Sequence, residues 1–335
     1  MFYNEKKKRE EYIDISRGLV ILLMLLGHSG APKLLTQLIY AFHMPFFFIL
    51  SGYLYDPEKW EARGSKALIK AKFKAYMIPY FVLCMINIAM QVINEFINNV
   101  PKKVIIYNIA RSLYWNMYSY STRARMGTST PLWFLPCIFL STIFVYLIFK
   151  LKKAEYKLAA LSLAWLVNIG LNILKADLLP WHIGIALIGA SFMVAGVYIK
   201  KYSFRLDQLR GGFMMPLLFV IYVVCALENS KTDMNLGNYG KYPMLFIIGS
   251  IAMTVCILWF FKNYVTKCAV LKFFGQNTMI AMGFNYAINV YSAEINELAE
   301  RWYFNCLVNI VLISIIAYGY KFIRDQRMMI SVKKA

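Results

Sequence analysis

Ten apolar runs divide the sequence, and most of them are close to the roughly 20 residues that a helix needs to cross the ~30 Å hydrocarbon core of a bilayer. They lie at residues 13–30, 34–55, 76–97, 131–149, 158–174, 183–199, 212–228, 243–261, 279–291 and 303–322. Hydrophobic residues make up 60% of the chain and charged residues 16%, with a mean hydropathy of +0.52, as is typical of polytopic membrane proteins. We therefore predict one all-α domain over residues 1–335 with about ten transmembrane helices.

The basic residues predict how these helices are oriented. Of the 37 Lys and Arg residues, 27 fall in the two tails and in every second connection, and 10 fall in the other connections. Because Lys and Arg collect on the cytoplasmic side of membrane proteins, both termini are predicted to be cytoplasmic. Basic residues on the cytoplasmic side then account for most of the net charge of +20, and anionic lipid head groups can be their partners. No nucleic acid partner is needed to explain this charge. We expect a multi-pass protein of the inner (cytoplasmic) cell membrane with a retained first span.

The six cysteines lie mostly in or beside the apolar runs, without C-x-x-C spacing or neighbouring metal ligands. We predict buried thiols and no metal site. Candidate reactive groups are therefore the few ionisable side chains inside the apolar runs, which are unfavourable there unless they have a function or a partner.

The first run carries Arg17 and His28, eleven residues apart. Eleven residues of α-helix complete about three turns and rise about 16 Å, so the two side chains share one face at different depths. Such groups usually face a cavity or a partner, which makes this face a candidate functional site. Asp14 lies near the same face and is expected to pair with Arg17 at i, i+3. The alternative is that His28 is an inert, hydrogen-bonded residue at the end of the helix.

A second histidine, His43, lies in the next run, LIYAFHMPFFFILSGYLY, two residues before Pro45. A short connection joins the two runs, so His28 and His43 can approach each other on antiparallel helices. Pro45 predicts a kink, which a cavity or a neighbouring helix can accommodate by pairing the freed backbone groups. Residues 46–48, all phenylalanine, are expected to face lipid, and the Ser-Gly pair that follows to pack against another helix.

These stretches resemble the acyltransferase 3 family of integral membrane acyltransferases, and within it the fucose 4-O-acetylase-like branch. The resemblance includes the Arg-x10-His spacing of Arg17 and His28 and extends from residue 12 to about residue 285. It departs at Ala75, where many relatives have arginine, and at Asn285, where relatives often have histidine. The matching stretches are YIDISRG, GHS, FHMPFFFILSGYL, a basic stretch leading to IPYF, PLWFLP, LPWHIGIAL followed by GVYIKK, and GQNTM.

The resemblance implies transfer of an acyl group, usually acetyl from cytoplasmic acetyl-CoA, to a hydroxyl group of an exported or membrane-associated glycan. His28 is the candidate general base, because an imidazole can take a hydroxyl proton at neutral pH. His43 is the second catalytic candidate and is expected to orient the acceptor or its own span, although the two roles can be exchanged. The donor phosphates need cations, and the candidates are Arg17, Lys70, Lys72 and Lys74. An equally good interpretation is that the three lysines are ordinary basic residues of the cytoplasmic side, with no role in donor binding.

Other polar residues are assigned supporting roles. The candidate donors to the developing negative charge on the thioester oxygen are Ser29, Ser51, Trp133 and Asn285. The residues expected to contact the acceptor are Trp133, Asn285 and Trp181. The acidic candidates for orienting His28 are Glu95, Asp177, Glu228 and Glu294, although a solvated position is the simpler interpretation of each.

Two other functions remain open at this point. A transporter or flippase would also suit ten spans with a charged internal stripe, but the two halves of the sequence show no recognisable repeat. An inactive sensor or scaffold domain of the same fold is favoured only by Asn285. Acetyl incorporation from labelled acetyl-CoA into glycan separates the enzyme from both alternatives.

Overall fold

The computed structural model describes residues 10–174, 179–203, 213–295 and 301–333, and within these ranges the chain is a bundle of helices. The described part contains no β-strand, only one isolated bridge between Asp233 and Asn238. The all-α prediction is therefore confirmed. The α-helices are α1 (Glu11–His28), α2 (Lys33–Tyr40), α3 (His43–Tyr53), α4 (Pro57–Lys72), α5 (Ile78–Ile97), α6 (Lys102–Tyr118), α7 (Arg123–Met126), α8 (Phe134–Lys150), α9 (Ala154–Ile173), α10 (Ile183–Lys201), α11 (Met214–Glu228), α12 (Pro243–Asn263), α13 (Ala269–Gln276), α14 (Thr278–Ile295) and α15 (Trp302–Lys333).

Seven helical segments of the described chain are long and apolar enough to cross a membrane. The other three predicted runs also form helices, α1, α11 and α14, but they are shorter or more polar. A total of about ten spans, and the cytoplasmic side of both termini, stay predictions. The seven segments are Lys33–Tyr53, Pro57–Ile97, Ala124–Lys150, Ala154–Ile173, Pro180–Lys201, Pro243–Asn263 and Trp302–Gln326.

The outer surface of the bundle is apolar, as a lipid-facing surface has to be. Large apolar side chains are exposed along α5, α9 and α15, among them Ile93, Leu166 and Ile315. The inner helices α1, α3, α8, α10, α12 and α14 carry most of the buried residues. The bundle therefore combines a packed interior with an apolar outer surface, as expected for a multi-pass membrane protein.

The second predicted run is two helices, α2 and α3, and the predicted kink at Pro45 is wrong. The break lies at Ala41 and Phe42, where the backbone of Phe42 leaves the helical region with φ −144°. Pro45 lies in the first turn of α3. Amide groups there have no partner within a helix, so a proline is accommodated without bending. The break places His43 at the beginning of a new helix.

The prediction that residues 46–48 face lipid is also wrong. Phe46 and Phe48 are completely buried, and the ring of Phe48 lies 5.0 Å from that of Phe134. Phe47 is half-buried against an internal cavity. The reason is that α3 lies inside the bundle, and a helix that is apolar on every side is equally typical of a buried position.

Close backbone contacts hold the central helices together. A Cβ atom added at Gly52 of α3 would lie 1.8 Å from the carbonyl oxygen of Met193, and one added at Gly196 of α10 would lie 1.9 Å from that of Ile49. The same contact recurs between α1 and α13, where a Cβ atom added at Gly18 would lie 1.8 Å from the carbonyl oxygen of Leu271. Small residues at helix crossings allow this approach in membranes. The packing role predicted for the Ser-Gly pair is thus confirmed for its glycine.

We predict that Gly196→Ala lowers the thermal unfolding temperature of the purified protein. The added methyl group meets the backbone of α3 at Ile49 and Tyr53, so α3 and α10 must separate, at a cost of about 1–3 kcal/mol. Gly170→Ala is the matched control, because nothing lies within 4 Å of a Cβ atom at Gly170. Equal unfolding temperatures for the two variants would show that the α3–α10 contact is looser than described.

Candidate functional site

A cavity of about 280 Å³ lies among the central helices. Helix α1 contributes Arg17, Ile21, Met24 and His28, whose spacing of three or four residues forms one stripe. The rest of the wall comes from α2, α3, the π-helical segment Phe73–Met77, the 3₁₀ segment Gly127–Trp133, α8, α14 and the loop after α11. The prediction that Arg17 and His28 share one face is confirmed. Helix geometry places them about 16 Å apart along the cavity.

Three aromatic side chains meet at one end of the cavity, and we call His28, Tyr40 and His43 the histidine cluster. The Tyr40 hydroxyl lies 3.1 Å from Nδ1 of His28. The rings of His28 and His43 are 6.4 Å apart, and Tyr40 lies 4.9 Å from His43. The predicted approach of the two histidines is confirmed. Tyr40 reaches the cluster because it is three residues before His43, just ahead of the break between α2 and α3.

Hydrogen bonding determines which ring nitrogen of His43 carries hydrogen. Nδ1 of His43 lies 3.0 Å from the carbonyl oxygen of Ile39, which can only accept, so Nδ1 is the donor. In a neutral imidazole, Nε2 of His43 then carries the lone pair. At His28 the partner is the Tyr40 hydroxyl, which can donate or accept. Both histidines are thus held through Nδ1.

An acidic residue from a loop joins the same end of the cavity. Asp233 lines the wall, and its Oδ1 accepts a hydrogen bond of 3.1 Å from the backbone of Asn235. Burial raises the pKa of the Asp233 carboxyl group, and hydrogen bonds from the backbone of Asn235 and Leu236 partly offset that rise. Asp233 lies close enough for its charge to act on Tyr40. Among the described residues, Asp233 is the carboxylate that lines this cavity, and Glu95 and Glu228, two of the four acidic candidates from the sequence, do not line it.

A chain of asparagines holds the C-terminal end of α1. The carbonyl oxygen of His28 accepts a hydrogen bond of 2.9 Å from the Asn289 side chain. Oδ1 of Asn289 accepts from Asn309, and Oδ1 of Asn309 accepts from Asn285 at 2.9 Å. The last turn of a helix leaves carbonyl groups unpaired, and this network pairs one of them inside the bundle. The network connects α1 to α14 and α15.

The other end of the cavity carries Arg17. Its Nη1 lies 3.9 Å from Oδ1 of Asp14, which confirms the predicted i, i+3 pair. Oδ2 of Asp14 accepts a hydrogen bond of 3.2 Å from Gln276, and a Cβ atom at Gly275 would lie 1.8 Å from the backbone oxygen of Asp14. Gly275 and Gln276 belong to the GQNTM stretch. This motif therefore packs α13 against α1 and buries Asp14 beside Arg17.

The remaining predicted residues fall at different distances from the cavity. Ser51 and Trp133 line it. Ser29 is buried and donates to the carbonyl group of Leu25, which it contacts at 2.7 Å. Asn285 is completely buried in the asparagine chain, outside the cavity wall. Trp181 is also outside the wall, with its indole N–H donating to Met117 at 2.9 Å.

The three lysines proposed for the donor do not line the cavity. Lys70 and Lys74 are exposed, whereas Lys72 is half-buried with its Nζ 5.9 Å from the Trp60 ring and 5.6 Å from the Tyr76 ring. Tyr76 does line the cavity, so Lys72 is one side chain away from it. Among the acidic candidates, Asp177 and the side chain of Glu294 lie outside the described residues.

The cysteines and metal ligands follow a simple pattern in the described ranges. All six cysteines are free thiols; Cys256 and Cys268 are half-buried and the others are buried. No three His, Cys, Asp or Glu side chains within those ranges come together as metal ligands do. The ionisable groups of the cavity wall are Arg17, the histidine cluster, Asp233 and the phenols of Tyr76 and Tyr286.

The fold and the cavity together define a multi-pass membrane protein with ionisable side chains in an internal cavity. A family model described as an acyltransferase domain, that of acyltransferase 3, matches residues 10–319. The chain therefore belongs to the acyltransferase 3 family and is a membrane acyltransferase. Comparison with curated proteins and with solved structures found no match. The fucose 4-O-acetylase-like branch stays a prediction.

We predict that filling the cavity stops acyl transfer. In the variant Met24→Cys, alkylation with N-ethylmaleimide places a bulky group in the wall, and activity should be lost. Leu22→Cys is the matched control, since Leu22 lies on another face of α1 and does not line the cavity. None of the native cysteines lines the cavity either, so wild-type protein should tolerate the reagent. Full activity of alkylated Met24→Cys, with labelling verified by mass spectrometry, would exclude the cavity as the reaction site.

Proposed function

We propose that this protein is an O-acetyltransferase that moves acetyl from cytoplasmic acetyl-CoA to a hydroxyl group of an exported or membrane-associated glycan. The observation that carries the proposal is that Arg17 and the histidine cluster line the same cavity, at opposite ends. Membership of the acyltransferase family supports the group transfer. The positive-inside distribution of Lys and Arg supports an orientation with the Arg17 end towards the cytoplasm.

The Arg17 end is suited to the donor. Coenzyme A carries several phosphate charges, and a guanidinium group can bind phosphate through two parallel hydrogen bonds. The wall beyond Arg17 is largely apolar, with Ile21, Met24 and Met279 among its residues, and can hold the pantetheine arm.

Lys72 is the lysine best situated to assist, because it contacts Tyr76 in the cavity wall. Asp14 pairs with the arginine, and Gln276 donates a hydrogen bond to Asp14 and so holds the pair in place.

The histidine cluster is suited to the transfer step. The acceptor hydroxyl oxygen attacks the thioester carbonyl carbon while its proton passes to Nε2 of His28. The C–S bond then breaks, the acetyl ester is released, and the imidazolium returns the proton to the coenzyme A thiolate. Ser51 and Trp133 line the same cavity and are candidates for stabilising the negative charge on the carbonyl oxygen. In this scheme Tyr40 accepts from Nδ1 of His28, which leaves Nε2 free to act as the base.

His43 is the second candidate for the base, and a specific contact favours it. Its Nδ1 donates to the carbonyl group of Ile39, so its Nε2 carries a lone pair whenever the ring is neutral. In the leading scheme His43 instead orients the acceptor. The two schemes differ in which histidine is indispensable.

Labelled acetyl-CoA tests the proposal as a whole. Membranes that contain the protein are incubated with the labelled donor and with surface glycans from a host that lacks it. Incorporation of alkali-labile acetyl into the glycan is expected. Vesicles that accumulate or flip glycan without incorporating acetyl would instead identify a transporter, and the absence of both would identify a sensor or scaffold.

We predict that His28→Ala reduces transfer about a hundred-fold or more, because the hydroxyl proton loses its acceptor. His43→Ala should reduce it less, by about ten-fold. Binding of acetyl-CoA and the elution volume on size exclusion should be unchanged in both. Full activity in well-folded His28→Ala would contradict the mechanism, and a larger loss in His43→Ala would assign the base to His43.

We predict a graded response at Arg17. Arg17→Lys should retain partial activity with a raised KM for acetyl-CoA, because lysine keeps the charge without the planar fork. Arg17→Ala should lose far more. Lys152→Ala, which removes one charge from an exposed connection, is the control and should behave like wild type. An unchanged donor affinity in Arg17→Ala would assign the arginine to structural pairing with Asp14.

A further inference from the structure

A second cavity, of about 320 Å³, lies beside the first. Its wall comes from α5, α6, residues 124–128 and α14, and Tyr286 lines both cavities. The second cavity is much more polar than the first. Its ionisable and amide groups are Gln91, Asn94, Glu95, Asn108, Arg111 and Arg125. We call it the polar cavity.

Glu95 is held in this wall through only one of its carboxylate oxygens. Oε1 accepts hydrogen bonds from Gln91 at 2.8 Å and from Asn108 at 2.9 Å. Oε2 is buried and has no hydrogen-bond partner. A buried acceptor without a partner raises the free energy of the protein by about 1–3 kcal/mol, and by more when it is charged. A ligand group that donates a hydrogen bond to Oε2 therefore removes this free-energy penalty.

Arg125 presents the complementary group. Its guanidinium lies 3.9 Å from the Tyr120 ring and 4.4 Å from the Trp115 ring, which hold its plane in place. Its Nη1 is buried and has no hydrogen-bond partner. Arg111, the other arginine of the wall, donates to the carbonyl group of Ala124. The polar cavity thus contains one unpaired acceptor and one unpaired donor.

The charges restrict the chemistry of the ligand. Two guanidinium groups disfavour a cation, and the Glu95 carboxylate disfavours an anion. A neutral polyhydroxyl compound suits both, because each hydroxyl group donates and accepts and can supply both missing partners after a small side-chain rotation. Tyr286 and Tyr291 add aromatic surface. A volume of about 320 Å³ lies within the roughly 300–1,000 Å³ of small-molecule sites.

We propose that the polar cavity binds a sugar unit of the acceptor glycan, next to the unit that is acetylated at the histidine cluster. This proposal rests on the glycan acceptor proposed above. The shared Tyr286 makes the two cavities neighbours, so one glycan can occupy both. The polar cavity then selects a glycan over a simple alcohol, because only a glycan has a second sugar to place there.

Sugar binding can be tested without acetyl transfer. The probes are the methyl glycosides of fucose, glucose, galactose and N-acetylglucosamine, with the full chain in lipid nanodiscs and saturation-transfer NMR as the readout. At least one should receive saturation from the wild-type protein. Glu95→Gln, which keeps Oε1 and its two partners, and Arg125→Ala should each weaken that binding about ten-fold. Glu155→Gln, at an exposed glutamate in the first turn of α9 that lines neither cavity, is the control and should not weaken it.

The outcomes separate this proposal from the proposed function. If none of the four glycosides binds, or if both variants bind sugar as wild type does, the sugar site is overturned even where acetyl transfer is observed. If sugar binding depends on Glu95 and Arg125 but no acetyl is transferred, the sugar site stands and the O-acetyltransferase does not. Size exclusion and thermal unfolding verify that Arg125→Ala is folded, and Glu95→Gln tests the site independently.

Discussion

Inside a bilayer every polar group must find its partner within the protein, and this constraint organises the centre of the molecule. Asp14 is buried between Arg17 and Gln276. The carbonyl group at the end of α1 is paired by Asn289, and Nδ1 of His43 is paired by the carbonyl group of Ile39. The bonds from Gln276 and Asn289 join α1 to α13 and α14, and the bond from His43 joins α3 to α2. The same contacts that satisfy buried polar groups therefore also fix the geometry of the site.

Close packing brings these partners within reach. Because Gly18 and Gly275 allow α1 and α13 to touch through their backbones, Gln276 lies beside Asp14, and Thr278 at the beginning of α14 enters the cavity wall. A larger residue at either glycine would separate the helices and remove that hydrogen bond. The GQNTM stretch thus acts on the site through packing first and through its side chains second.

The sequence predicted what depends on local periodicity and missed what depends on the path of the chain. Arg17 and His28 share a face because three helical turns are set by local geometry alone. The buried position of Phe46 was not predictable, since a helix that is apolar on every side is equally typical of lipid contact and of a core. Tyr40 lies three residues before His43, and this i, i+3 spacing within the second apolar run could have predicted that it joins the site. The position of Asp233 could not be predicted, because no local sequence pattern indicates that its loop returns to the cavity.

The packing also bears on how substrates reach the cavity. Alternating access requires one part of the wall to rock against another. Here Gly52 and Gly196 hold α3 to α10 through direct backbone contact, and Gly18 holds α1 to α13 in the same way. Such contacts have no side chains that can repack, so α3 has to move together with α10, and α1 together with α13. A rearrangement of the cavity wall is therefore expected between these two helix pairs, or at the loop that carries Asp233, and not within either pair.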